Sequence, residues 1–237
     1  MLNRIKDLHD ACKVASALKA QLIEELPHYG HDALYLNNDE ITTGLLNNKT
    51  EIKIHLLTGQ LLYFHNEQGY SVDLTHEGDI FDKLHYIVTK FGLKLPESAA
   101  SLAHLNIDDL SYYLEFATKA RSCLELFRMK LRGNFTQLHL WPHGFDFSVE
   151  WFPKKNGEQI GVGISPGDDQ YESPYLYVNP YPFKEKMIEH SLGIGVWHTK
   201  KWNGIKVEWK DLENKSAQKI SRDIYDLFLV AERNFKS

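Results

Sequence analysis

The chain has 237 residues, 43% of them hydrophobic, with 27 Lys and Arg against 32 Asp and Glu and a net charge of -5. That length and apolar share allow a sizeable core and exclude a disordered chain, while the acidic balance lacks the summed positive field that holds a nucleic-acid backbone. Apolar runs such as residues 227 to 231 fall far short of the roughly 20 that a bilayer span needs, so neither nucleic acid nor a membrane is an expected partner.

Ile5, Leu8, Cys12, Ala15, Leu18 and Leu22 recur at steps of three and four residues and predict a first helix over about residues 3 to 25, stopping before Pro27. Five short apolar runs follow, at 33 to 36, 41 to 46, 51 to 57, 61 to 65 and 70 to 74. Turn residues such as Asn47-Asn48, Thr58-Gly59 and Gln68-Gly69 separate them, which reads as an antiparallel meander. Ile80, Leu84, Ile87, Val88 and Phe91 form a second helical stripe closed by Gly92. Asn106 caps a long helix ending at Gly133. Strand-like runs come next at 135 to 141, 145 to 152, 160 to 164, 175 to 178, 194 to 197 and 205 to 209, and a last helix starts near Ser216. The expected fold class is α+β, antiparallel sheet with helices packed on one face. Residues 1–105 and 106–237 form two α-β-α halves of one compact unit, which suggests a pseudo-duplication.

Cys12 and Cys123 lie far apart within helical patterns and give no Cys-x-x-Cys spacing. They read as free core thiols. Together with a charged, periodic opening stretch in place of a signal peptide, they make a soluble, cytoplasmic protein the expectation. Lys200 and Lys201, with Lys206 nearby, form the one dense basic run and read as a solvated face.

Residues 137 to 152 carry the most chemical information. Period-two alternation puts Leu138, Leu140, Phe145, Phe147, Val149 and Trp151 on one apolar face, and His139, Trp141, Asp146, Ser148 and Glu150 on the other. With Pro142 to Phe145 as the loop, Trp141 would pair with Asp146, and His139 with Ser148. Gly161 and Gly163 of the next strand would leave space on that second face. Such a floor, flanked by His139, Trp141, Tyr175 and Tyr177, describes a shallow ligand pocket.

The leading expectation is therefore a small-molecule-binding module whose polar and aromatic sheet face holds the ligand through His139, Trp141, Asp146, Glu150, Tyr175 and Tyr177. A hydrolase-like enzyme using His139 with Asp146 or Glu150 is the second, with a metal recruited through His28, His31, His139 and Asp146. Self-association through the aromatic face, giving a homo-oligomer, is the third. The residues assign no cofactor. Ser165-Pro166-Gly167-Asp168-Asp169 lacks the lysine and flanking glycines of a phosphate loop and reads as a turn.

In this stretch His139, Phe145, Asp146, Phe147, Val149 and Phe152 resemble the His-rich strand and Phe-Asp pair of a bacterial family of domains of unknown function, number 5996. His28, His31, Leu34 and Tyr35 are similar to its His-x-x-His-x-x-Leu-Tyr run, Ile41-Thr42-Thr43 to its Leu-Thr-Thr, and Pro166-Gly167 and residues 177 to 182 to its later elements. Trp141 is displaced by one position, Pro142-His143 replaces non-imidazole residues, and the arginine expected near Trp151 is absent. The resemblance implies a related architecture, points to His28, His31, His139 and Asp146, and assigns no reaction.

Overall fold

A computed structural model describes residues 2–76, 78–153, 157–168 and 170–235. The fold is α+β, with four α-helices and two antiparallel sheets among the described residues. Two compact units divide it: residues 3–118 with 140–145, and residues 1–2, 119–139 and 146–237.

In the first unit, α1 (Leu2–Ala20) buries Ile5, Leu8, Cys12, Ala15 and Leu18, as its stripe requires. The helix ends earlier than its periodicity predicts. Leu22 N–H turns back to the Lys19 carbonyl, Asn47 Nδ2 donates to the Leu22 carbonyl, and Lys19 itself is drawn inward. Strands β1 (Tyr35–Asn37), β2 (Glu40–Thr42), β3 (Thr50–His55), β4 (Gln60–His65) and β5 (Gln68–Asp73) pair in chain order, the expected meander. Helix α2 (Ile80–Lys90) buries Ile80, Leu84, Ile87 and Val88, and Gly92 at φ 71 closes it by the left-handed turn that glycine permits.

Segment 140–145 belongs to this unit because Leu34 and Leu140 exchange backbone hydrogen bonds of 2.9 and 2.8 Å. Phe145 adopts φ 54, so alternation fails there. Its ring is buried between His9 and Tyr113, at centroid distances of 4.8 and 4.9 Å. The apolar face predicted to run from Leu138 to Trp151 therefore breaks at Phe145.

Helix α3 (Ile107–Arg128) is shared by the two units, and Asn106 Oδ1 accepts from Asp108 and Asp109 N–H, as its capping position predicts. The second unit continues with β6 (Asn134–Phe135), the first residue of β7 (His139–Trp141), then β8 (Asp146–Phe152), β9 (Gln159–Ser165), β10 (Tyr175–Tyr181), β11 (Val196–His198), β12 (Gly204–Glu208) and α4 (Ala217–Glu232). The run expected as one strand from 135 to 141 is split into β6 and β7, because Thr136 turns both its N–H and its hydroxyl to the backbone of Glu150. Sheet order is β11-β12-β10-β9-β8-β6, with β7 pairing off this path to β8. The two halves thus share the order helix, sheet, helix, but a five-stranded meander does not repeat as a seven-stranded sheet in which β10 skips to β12.

Register makes this sheet two-faced. Phe147 pairs with Ile164, Val149 with Val162, Leu176 with Val207 and Val178 with Ile205. All are buried, and α4 packs on β9 and β10 with Ile220, Ile224, Leu227 and Phe228 inward. On the other face the row Ser148, Gly163, Tyr177, Lys206, Val196 crosses five strands. That second face positions the site. Among the described residues no helix is long and apolar enough to cross a membrane.

Candidate functional site

Strand β8 supplies Asp146, Ser148 and Glu150, spaced by two so that all three point to the second face. Ser148 Oγ donates to Glu150 Oε1 at 3.1 Å. From β10, Tyr177 Oη donates to Asp146 Oδ2 across the intervening strand. The space left by the glycines is filled from both sides. A Cβ on Gly163 would collide with the Tyr177 phenol, and one on Gly161 would lie 2.9 Å from Glu150 Oε2. In place of the expected floor free of side chains under a shallow pocket, Glu150 and Tyr177 pack over the two glycines in a polar layer in which Asp146, Ser148 and His139 are buried.

Enclosure governs the electrostatics. Burial, with the Asp146 charge adding to it against the Ser148 hydrogen bond, pushes the Glu150 carboxyl up to about 7. Burial and the charges of Asp146 and Glu150 push the Tyr177 phenol well above its ordinary range, so it stays a donor. Tyr175 is raised by burial and by Asp168, whose Oδ2 accepts its hydroxyl at 2.9 Å.

A ring of aromatic groups continues the face. Trp202 stacks on His198 at 4.3 Å and lies 6.3 Å from Tyr175 and 6.2 Å from Tyr177. Lys206 leaves the basic run predicted around it and places its ammonium 4.6 and 5.2 Å from the Tyr171 and Tyr175 ring centres, bonded to Glu208 at 2.6 Å. Ser165 to Asp168 form the expected turn, Asp168 Oδ1 accepting the N–H groups of Gln170 and Tyr171; Asp169 lies outside the described residues.

Of the predicted ligand-binding residues, Asp146, Glu150, Tyr175 and Tyr177 come together, and His139 lies in the same unit at the start of β7. Trp141 belongs to the other unit, where its ring lies 6.0 Å from that of His143. His28 and His31 are in that unit too, beside a short turn; His31 Nδ1 accepts from Leu26 N–H at 3.1 Å and its Nε2 lies 3.6 Å from Asp32. Among the described residues no group of three or more His, Cys, Asp or Glu is placed to hold a metal ion, so His28, His31, His139 and Asp146 do not form the metal set proposed for them.

Tyr171, His198 and Trp202 escaped sequence reasoning, which places Asp168 only as part of a turn. They come from a turn, an edge strand and a connector, and only the pairing of β11 with β12 and of β12 with β10 assembles them. No protein family, no curated protein and no solved structure matches the chain.

Proposed function

We propose that the protein is a small-molecule-binding module, with the ligand held on the polar face of the second sheet by Asp146, Glu150 and Tyr177 and flanked by Tyr175 and Trp202. The observation that carries this is Glu150. Its side chain is half-buried, yet Ser148 Oγ is its one side-chain donor among the described residues, and none of their cations pairs with it. A half-buried acceptor of that kind, beside a second carboxylate and aromatic rings, suits a small polar or aromatic ligand bearing hydrogen-bond donors. Tyr177 contributes by holding Asp146 in place and by presenting a ring for stacking.

A thermal-shift screen of polar metabolites on wild type, Glu150→Gln and Tyr177→Phe tests it. A true ligand stabilises wild type and loses most of its shift in both variants, since linkage raises stability only as far as binding persists. Equal shifts in all three proteins would overturn the reading.

The unequal settings of the two carboxyls favour a second reading. Asp146 accepts a phenol hydrogen bond while Glu150 is pushed up to about 7, a division that suits an acid and a base working together in hydrolysis. A hydrolytic activity that both Asp146→Asn and Glu150→Gln abolish would favour this reading over simple binding. Buried, unbridged Cys12 and Cys123 support placing the protein in a reducing, cytoplasmic compartment.

A further inference from the structure

Tyr171 and His198 form an arrangement separate from the carboxylate cluster. Tyr171 Oη lies 2.6 Å from His198 Nε2, and His198 Nδ1 lies 2.9 Å from the Trp202 carbonyl oxygen. A carbonyl only accepts, so Nδ1 carries the hydrogen, and in the neutral ring Nε2 offers a lone pair to the Tyr171 hydroxyl. The imidazole is held in that orientation by its stack on Trp202, 14° from parallel. Tyr171 meets its edge at 75°. The phenol is fixed in turn by the Asp168 turn that takes its backbone N–H. It is half-buried, whereas His198 is buried.

Hydroxyl, base and a fixed acceptor behind the base make up the order nucleophile, general base, orienter. The Lys206 ammonium, bonded to Glu208, lies 4.6 Å over the Tyr171 ring and helps to hold the phenol in place.

We propose that Tyr171 is a nucleophile activated by His198, and that it takes acyl donors with a good leaving group, aryl esters being the class. Tyr171 Oη bonds to the ester carbonyl carbon as the bond from that carbon to the aryl oxygen breaks. The phenolic proton passes to His198 Nε2 and on to the departing aryloxide. Water then adds to the tyrosyl ester, Oη leaves and recovers a proton through His198, and a carboxylic acid is released.

4-Nitrophenyl acetate tests this on the full chain, with nitrophenolate release followed by absorbance and acetylated residues mapped by peptide mass. Tyr29, Tyr86 and Tyr181, 73%, 64% and 63% exposed, serve as internal standards. Tyr171 should acquire acetate roughly tenfold faster than any of them or more, as base assistance predicts. The fast phase should vanish in Tyr171→Phe and slow by a similar factor in His198→Gln. Acetylation of Tyr171 no faster than the three exposed tyrosines, or a fast phase that survives Tyr171→Phe, would overturn the proposal. The comparison within wild type decides the matter even if His198→Gln does not fold. Because neither Asp146 nor Glu150 takes part, this result and the ligand screen fail or succeed separately.

Discussion

Tyr177 lies across Gly163, its partner on the neighbouring strand, and so reaches Asp146 one strand further on. Glycine is required there because a side chain would occupy the path of the phenol. Gly163→Ala would set a Cβ against the Tyr177 ring and 2.6 Å from the Phe147 carbonyl oxygen, which must shift backbone as well as side chain. Overpacking of this kind should cost about 1 to 3 kcal/mol. Urea unfolding should show it, with Gly193→Ala as control, since a Cβ at Gly193 meets nothing within 4 Å. An unchanged midpoint for Gly163→Ala would mean that Tyr177 does not occupy this position.

On the opposite face, Phe147 is 1% exposed and pairs with Ile164 in the layer that α4 covers. Phe147→Ala removes a ring from a packed core and should lose about 3 to 5 kcal/mol, the transfer free energy plus the cavity left behind. A melting temperature within about two degrees of wild type would show that this face is not the core.

Much of this was legible in local patterns, and the misses have a common cause. The stripes of α1, α2 and α4, the caps Asn106 and Ser216, and the shared face of Asp146, Ser148 and Glu150 follow from periods of 3.6 and 2. Phe145 departed because one left-handed residue reverses the alternation beyond it, and spacing does not encode φ. Gly161 and Gly163 were recognisable as gaps, but what fills them depends on the Glu150 and Tyr177 rotamers. His198 and Tyr171, 27 positions apart, meet through the register of two strand pairs that no short window contains.

Cys12 and Cys123 are buried, and burial raises both thiols, Cys123 to about 11. Since the thiolate is the reactive form, neither should alkylate in the native protein at pH 8. Unfolding without reductant should expose two reactive groups by mass. A product with no added groups would reveal a disulfide instead.

Lys19 is 2% exposed and donates to the carbonyls of Gly30 and Ala33 at 2.9 and 2.5 Å. Burial lowers its amine to about 8, although the Asp32 charge opposes the shift. The unfolded chain holds this proton up to an ordinary value of 10.5, so between about 8 and 10.5 it binds more protons than the folded chain and stability rises with pH. Lys19→Met lacks that increment and leaves two carbonyls without their donor, at a cost of about 1 to 3 kcal/mol for each one left unsatisfied. The gap between wild type and Lys19→Met should widen from pH 8 to pH 10 in urea titrations. A gap that stays constant would place the amine in solvent.

Glu150 gives the opposite sign. Its folded carboxyl keeps a proton up to about 7, whereas the unfolded chain releases it near 4.5, so across that window the folded state binds more protons and stability falls as pH rises. Above the window the loss is complete and constant. Glu150→Gln keeps the shape and the hydrogen bond from Ser148 without an ionisable group, so its stability relative to wild type should climb from pH 4.5 to pH 8, by about 3 kcal/mol at most. Asp146 and Tyr177 are present in both proteins and cancel to first order in the comparison. Urea midpoints at pH 4.5, 6, 7 and 8 measure the difference directly. If the two proteins track each other, Glu150 is solvated and ionised throughout, and the half-buried acceptor on which the ligand site rests is not there. If the gap opens as described, a ligand that donates to Glu150 should lower its carboxyl toward the ordinary range and be taken up with release of a proton, which calorimetry in buffers of different ionisation enthalpy would register.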